Sequence, residues 1–148
     1  TNFCIGVGGY PEKHFESPNL KSDIKLAKEK VNAGADYIVT QMFYDNRYYF
    51  EFLKKCREDG ITVPIIPGLK ILTGKKQLNS IPKTFYVEIP EGLSSEISEA
   101  KPEHVVDIGV EWTAKQCEEL LNEGIPSLHF YIMQNAKPIQ KLFERLKM

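Results

Sequence analysis

Tyr37-Ile38-Val39-Thr40-Gln41-Met42-Phe43-Tyr44-Asp45 reads as a buried strand that ends abruptly in an amide, aromatics and an acid. An apolar run that stops on polar groups delivers them to a site at its C-terminal end. Directly upstream, Lys28-Glu29-Lys30-Val31-Asn32-Ala33-Gly34-Ala35-Asp36 reads as a helix end closed by a glycine. Helix, short turn and strand therefore follow one another as in an α/β chain, and function is expected where the strands stop.

Outward from this stretch the unit recurs in kind. Phe3 to Val7 reads as a first strand, and Gly8-Gly9-Tyr10-Pro11 opens a long loop before a helix with Leu20, Ile24, Ala27 and Val31 on one stripe. After the Tyr37 to Phe43 strand, a helix from Tyr48 to Glu58 ends at Gly60, and Val63 to Pro67 is a third strand closed by Pro67-Gly68. Lys75 to Ser80 reads as a short helix. Pro82, Pro90 and Pro102 then divide a less regular, charged stretch from a long helix over about residues 103–123. Ser127 to Met133 is a fourth strand, and Ile139, Leu142, Phe143 and Leu146 supply the apolar side of a last helix.

Four densely apolar strands, each followed by a helix, imply a parallel sheet with helices outside. Polar or aromatic groups cluster near the strand C-terminal ends: Tyr10, Gln41, Gln77 and Tyr131. That placement favours a (βα)8 barrel over a small open sheet. A full barrel takes about 250 residues, so residues 1–148 are expected to form one domain holding about four βα units. The apolar residues Ile5, Val7, Ile38, Ile65 and Phe130 are expected on the inner face, uncovered or repacked in the isolated chain.

Composition narrows the partners. With 42% hydrophobic and 11% aromatic residues the chain can bury a substantial core. The net charge is -1, from 19 basic and 20 acidic residues mixed along the sequence, so no basic stripe offers itself to nucleic acid. No apolar run approaches the roughly 20 residues that span a bilayer, and no signal peptide is recognisable. Cys4, Cys56 and Cys117 lack metal-ligand spacing and read as reduced core thiols of a cytoplasmic protein. The Gly6-x-Gly8-Gly9 cluster lacks the Rossmann spacing and reads as a bend.

Five motifs in register along the chain carry a resemblance: Gly9-Tyr10-Pro11-Glu12-x-His14; Asp23 followed by Lys28-x-Lys30-Val31-x-Ala33-Gly34-Ala35; Thr40-Gln41-x-Phe43; Pro64-Ile65-Ile66-Pro67-Gly68; and Leu128-His129-Phe130-Tyr131. In these the sequence resembles the C-terminal half of the catalytic barrel of methylenetetrahydrofolate reductase. The resemblance implies a flavoprotein of one-carbon metabolism and methionine biosynthesis. Such an enzyme uses FAD to pass a hydride from NADH or NADPH to methylenetetrahydrofolate. It also implies that Tyr10, His14, Ser17, Asp23 and Lys30 surround FAD, and that Gln41, Gln77 and Tyr131 face the folate substrate. The chemistry suits these roles, since a lysine offers a diphosphate its cation and an amide offers a pterin edge both donor and acceptor. The plainer reading is a packed loop tyrosine, a surface histidine, a solvated helix face and a buried amide.

Two departures qualify the resemblance. Where the family reads Tyr-Thr-Leu-Asn-Arg, this chain has Tyr131-Ile132-Met133-Gln134-Asn135, without the arginine associated with folate. Ile81 also replaces a phenylalanine that some members set against the bound ring. The family's general acid lies in the first half of the barrel, which nothing here resembles. The expected partners are therefore folate, that N-terminal half and further copies of the chain. A noncatalytic half-barrel that binds or regulates a reductase is the alternative, and an aldolase-like barrel would call for a lysine or metal cluster not found here.

Overall fold

The computed structural model describes residues 2–147; Thr1 and Met148, the ends of the expected domain, lie outside that range. Four strands, β1 (Gly6–Gly9), β2 (Tyr37–Met42), β3 (Ile65–Leu69) and β4 (His129–Phe130), form one parallel sheet in the order β1-β2-β3-β4. Six α-helices connect and cover it: α1 (Leu20–Asn32), α2 (Asn46–Glu58), α3 (Gln77–Phe85), α4 (Glu91–Glu99), α5 (Val105–Asn122) and α6 (Lys137–Leu146). Among the described residues no helix is long and apolar enough to cross a membrane.

Local chemistry sets the helix ends near β2. The Ser22 N–H donates to Asn19 Oδ1 (3.0 Å) at the start of α1, and the Arg47 N–H donates to Asp45 Oδ1 (3.0 Å) at the start of α2. Gly34 closes the first of these helices at φ +111°, a conformation that a side chain would strain. The chain then enters β2, whose alternate residues Ile38, Thr40 and Met42 are buried against the helices.

Several expected boundaries move. The first strand begins at Gly6 rather than Phe3 and runs through Gly8 and Gly9, pairing Gly6 with Tyr37 and Gly9 with Thr40. A methyl at Gly9 would stand 2.7 Å from Ile38 Cγ2 and 3.0 Å from Phe52 Cζ, so the missing side chain is what lets α2 pack on the strand. Pro67 and Gly68 lie inside β3 rather than ending it, and the fourth strand shortens from Ser127–Met133 to two residues.

The short helix expected over Lys75–Ser80 is α3, which runs on through Pro82 to Phe85, and the stretch expected to be irregular after it contains α4. Pro82 sits within α3, while Pro90 and Pro102 occupy helix starts, where a missing N–H costs little. These helices exist because Leu72, Ile81, Val87, Leu93, Ile97 and Val105 build a second core cluster with Met42 and Tyr44. The main cluster, including Ile38, Phe43, Tyr49, Phe52, Leu69, Cys117 and Leu142, lies between sheet and helices. The end of β2 is thus shared, with Phe43 in one core and Met42 and Tyr44 in the other.

The inner-face assignment is also corrected. Ile38 and Ile65 are fully or nearly buried in the helix-side core, with Val7 and Phe130 packed against it, and Ile5 lies half exposed ahead of β1. Tyr37, Val39, Gln41 and Ile66 alternate with them and occupy the opposite, partly open face. Strands apolar on both faces carry no parity signal. Cys56 and Cys117 are core thiols as expected, pushed up to about 11 and about 12 by burial, whereas Cys4 is exposed before the first strand.

Candidate functional site

The strand ends expected to carry function frame a cavity of about 480 Å³ between the end of β1, the loop that follows it and one face of α1. Tyr10, His14, Ser17, Asp23 and Lys30 all line it, with the Gly8-Gly9 backbone. The loop has a defined shape. The Ser17 N–H donates to the His14 carbonyl (3.0 Å), and Lys13, at φ +81°, folds its ammonium back onto the carbonyls of His14 (3.0 Å) and Ser17 (2.8 Å).

Asp23, in the first turn of α1, holds this loop from beneath. Its Oδ2 accepts the His14 N–H (2.7 Å) and its Oδ1 accepts the Ser17 hydroxyl. With the residue 5% exposed, the carboxylate serves the loop, and sequence reasoning had placed it simply beside the cofactor. The Tyr10 and His14 rings meet edge to face with centroids 4.6 Å apart. Lys30, in the last turn of the same helix, directs Nζ toward the Gly8 carbonyl at 3.4 Å. A cation, an imidazole and an approachable glycine backbone on one wall suit a phosphate-bearing nucleotide.

The residues expected to face substrate divide. Gln41 lies at the end of β2 and folds its Oε1 back to accept the Met42 N–H (3.0 Å); its amide nitrogen makes no hydrogen bond among the described residues. Gln77 and Tyr131 line a separate, smaller cavity of about 150 Å³ beyond β3 and β4. Gln77 Oε1 accepts the N–H groups of Thr73 (2.6 Å) and Gly74 (3.2 Å), so half of its amide shapes the loop before α3. The Tyr131 hydroxyl donates to the Thr40 carbonyl (2.8 Å), and the Thr40 hydroxyl accepts the Gly68 N–H (2.9 Å). These bonds sit where the β2–β3 register shifts between Val39 and Met42, next to Gln41. Ile81 is buried in the second core, and His129, exposed, lies edge-on to Tyr131.

The family model for methylenetetrahydrofolate reductase matches residues 1–147. The chain belongs to the methylenetetrahydrofolate reductase family. It is 35% identical over 147 residues to a probable methylenetetrahydrofolate reductase (NADPH) of Caenorhabditis elegans, covering 97% of this chain and 22% of that protein. Methylenetetrahydrofolate reductase 2 of Saccharomyces cerevisiae is 39% identical over 150 residues, covering 98% of this chain and 25% of the relative. A bacterial 5,10-methylenetetrahydrofolate reductase, from Pectobacterium carotovorum, is 30% identical, covering 92% and 46%. The chain thus spans about a quarter of its eukaryotic relatives and about half of the bacterial one. An uncharacterized protein from Clostridium thermocellum, described as binding two copies of 5-methyl-5,6,7,8-tetrahydrofolic acid, shares the fold. It aligns with a TM-score of 0.64 at 20% identity over 97% of this chain and 53% of its own.

One member of the reductase motif after β1 went unassigned in the sequence. Glu12 accepts the Glu88 N–H on Oε2 (2.6 Å), joining the loop after β1 to the segment after α3, while its Oε1 is buried without a hydrogen-bond partner among the described residues. Burial, with the Glu88 and Asp45 charges nearby, raises its carboxyl from the ordinary 4.5 to about 7. Its burial rests on a residue 76 positions away, which no local pattern reveals. The folded chain holds this proton more tightly than the unfolded chain. The contribution to stability is therefore full below about 4.5 and is lost as pH rises to about 7. Glu12→Gln should flatten that part of the profile of thermal midpoint against pH; an unchanged slope would mean that Glu12 does not hold the proton.

Proposed function

We propose that this chain is the C-terminal half of a reductase barrel that, in the complete enzyme, reduces 5,10-methylenetetrahydrofolate to 5-methyltetrahydrofolate with NADH or NADPH through bound FAD. The observation that carries the reading is the gathering of Tyr10, His14, Ser17, Asp23 and Lys30 on one cavity, one strand away from Gln41. Membership of the family and relatives named as NADPH- or NADH-dependent reductases support the nicotinamide donor. The Clostridium thermocellum protein's folate ligand is in keeping with a folate substrate.

The residues fit a flavin nucleotide. Lys30 and His14 would face its phosphates, Tyr10 would offer an apolar face and a hydroxyl, and Asp23 would keep the loop in place. Flavin supplies hydride transfer when bound. The chain's own contribution is to position it and to offer the Gln41 amide nitrogen to the pterin edge. The general acid belongs to the other half of the barrel in this reading, and assembly into homo-oligomers in the cytoplasm goes with it.

The test uses the full-length protein, which should purify yellow and oxidise a reduced nicotinamide with methylenetetrahydrofolate as acceptor. In the same preparation Gln41→Ala should lower folate turnover, with about 1 to 3 kcal/mol of binding lost, while flavin content holds. A colourless protein indifferent to FAD would sink the assignment. Parallel loss of flavin and turnover would make Gln41 structural.

A further inference from the structure

The smaller cavity holds one charged residue, Lys70, immediately after β3, with Thr73, Gln77, Tyr131, Gln134 and Asn135 as its polar neighbours and Phe130 and Ile139 among its apolar ones. Lys70 is half withdrawn from water, and its ammonium makes no ion pair or hydrogen bond among the described residues. Burial alone moves its pKa below the usual lysine value, with no carboxylate offsetting the loss of hydration.

Of the three amides around it, Gln77 and Asn135 have their oxygens engaged, while Gln134 makes no side-chain hydrogen bond among the described residues and can turn its N–H to the cavity. Gln77 Oε1 is taken by the N–H groups of Thr73 and Gly74, and Asn135 Oδ1 accepts the Lys137 N–H (3.0 Å). The Tyr131 hydroxyl proton goes to Thr40. What Gln77, Asn135 and Lys70 have left to offer is N–H alone. A cation flanked by two amide donors over an apolar floor calls for an acceptor-only group on an apolar stem, which is a carboxylate.

We propose that Lys70 receives a carboxylate of the folate tail, with Gln77 and Asn135 as accessory donors. This rests on the folate reading above and deepens it: substrate specificity at this end of the site comes from Lys70, in a chain whose position 135 carries an amide and no charge.

The experiment compares methylenetetrahydrofolate with its analogue in which both glutamate carboxyls are amidated, in the full-length enzyme. The wild type and Lys70→Arg should show a KM about tenfold lower for the acid than for the diamide, as one charge-assisted hydrogen bond implies. Lys70→Met should bring the ratio close to one by raising KM for the acid alone, at a thermal midpoint like that of the wild type. An unchanged ratio in Lys70→Met, an equal rise for both substrates, or a wild type that does not discriminate would overturn the assignment. Turnover of neither compound by the wild type would instead overturn the folate reading beneath it, and the assignment with it.

Discussion

Gly68→Ala is expected to produce the largest loss of stability among the single substitutions considered. A methyl group there would fall on the Thr40 carbonyl oxygen, with the Tyr131 ring carbon Cε2 2.7 Å away. Neither neighbour can yield easily. Thr40 is fully buried in β2 and bonded on both sides, its hydroxyl to Gly68 and its carbonyl to Tyr131. Relief requires β2 and β3 to part at the register shift beside Gln41, so overpacking should reach the upper end of its usual range, about 3 kcal/mol. Urea unfolding of the full-length protein should show a lower midpoint at unchanged slope, with folate turnover falling as well. A midpoint within experimental error of the wild type would show that the bulge is loose and that the close approach does not determine the site.

Asp23→Ala should damage the cavity after β1, proposed above to hold flavin, from behind. It leaves the His14 N–H and the Ser17 hydroxyl without their acceptor, next to a side chain only 5% exposed in the native protein. A buried donor left unpaired costs about 1 to 3 kcal/mol. Releasing His14 and Ser17 together should also let the loop leave the wall on which Lys30 and Tyr10 stand. Lower thermal midpoint and lower bound flavin are expected together, read by melting and by the visible absorbance of the purified enzyme. Asp23→Asn retains one acceptor and should fall between. Full flavin content in the alanine variant would show that the cavity does not depend on this clamp.

What could be read along the chain was local. The glycine stop at Gly34 and the span of β2 stand where residue type and periodicity place them, whereas α2 starts at Asn46, ahead of the expected Tyr48, on a cap at Asp45. Such ends are settled by atoms within a few positions in sequence: a side-chain oxygen meets an N–H two or three residues on, or a backbone turn demands positive φ. The motifs along β1, α1 and β2 were legible for a related reason, since one loop and one helix bring Tyr10, His14, Ser17, Asp23 and Lys30 to a single cavity.

Long-range packing decided the remainder. Glycines give a strand no side-chain pattern, so the expected first strand starts three residues ahead of β1, and only contact with Phe52 and Ile38 explains Gly9. Helices α3 and α4 persist through a proline-marked segment because they close a second core over Met42 and Tyr44. Asp23 turning into its loop, the burial of Glu12 against Glu88 and the donors gathered around Lys70 are equally invisible in a linear pattern. By itself the sequence determined the α/β order, the glycine stop ahead of β2 and the family. Tertiary structure decided which face each strand presents, which polar groups are already satisfied and which are left for a ligand. Those outcomes depend on pairs such as Thr40 and Tyr131, 91 residues apart, that meet only when the sheet closes around them.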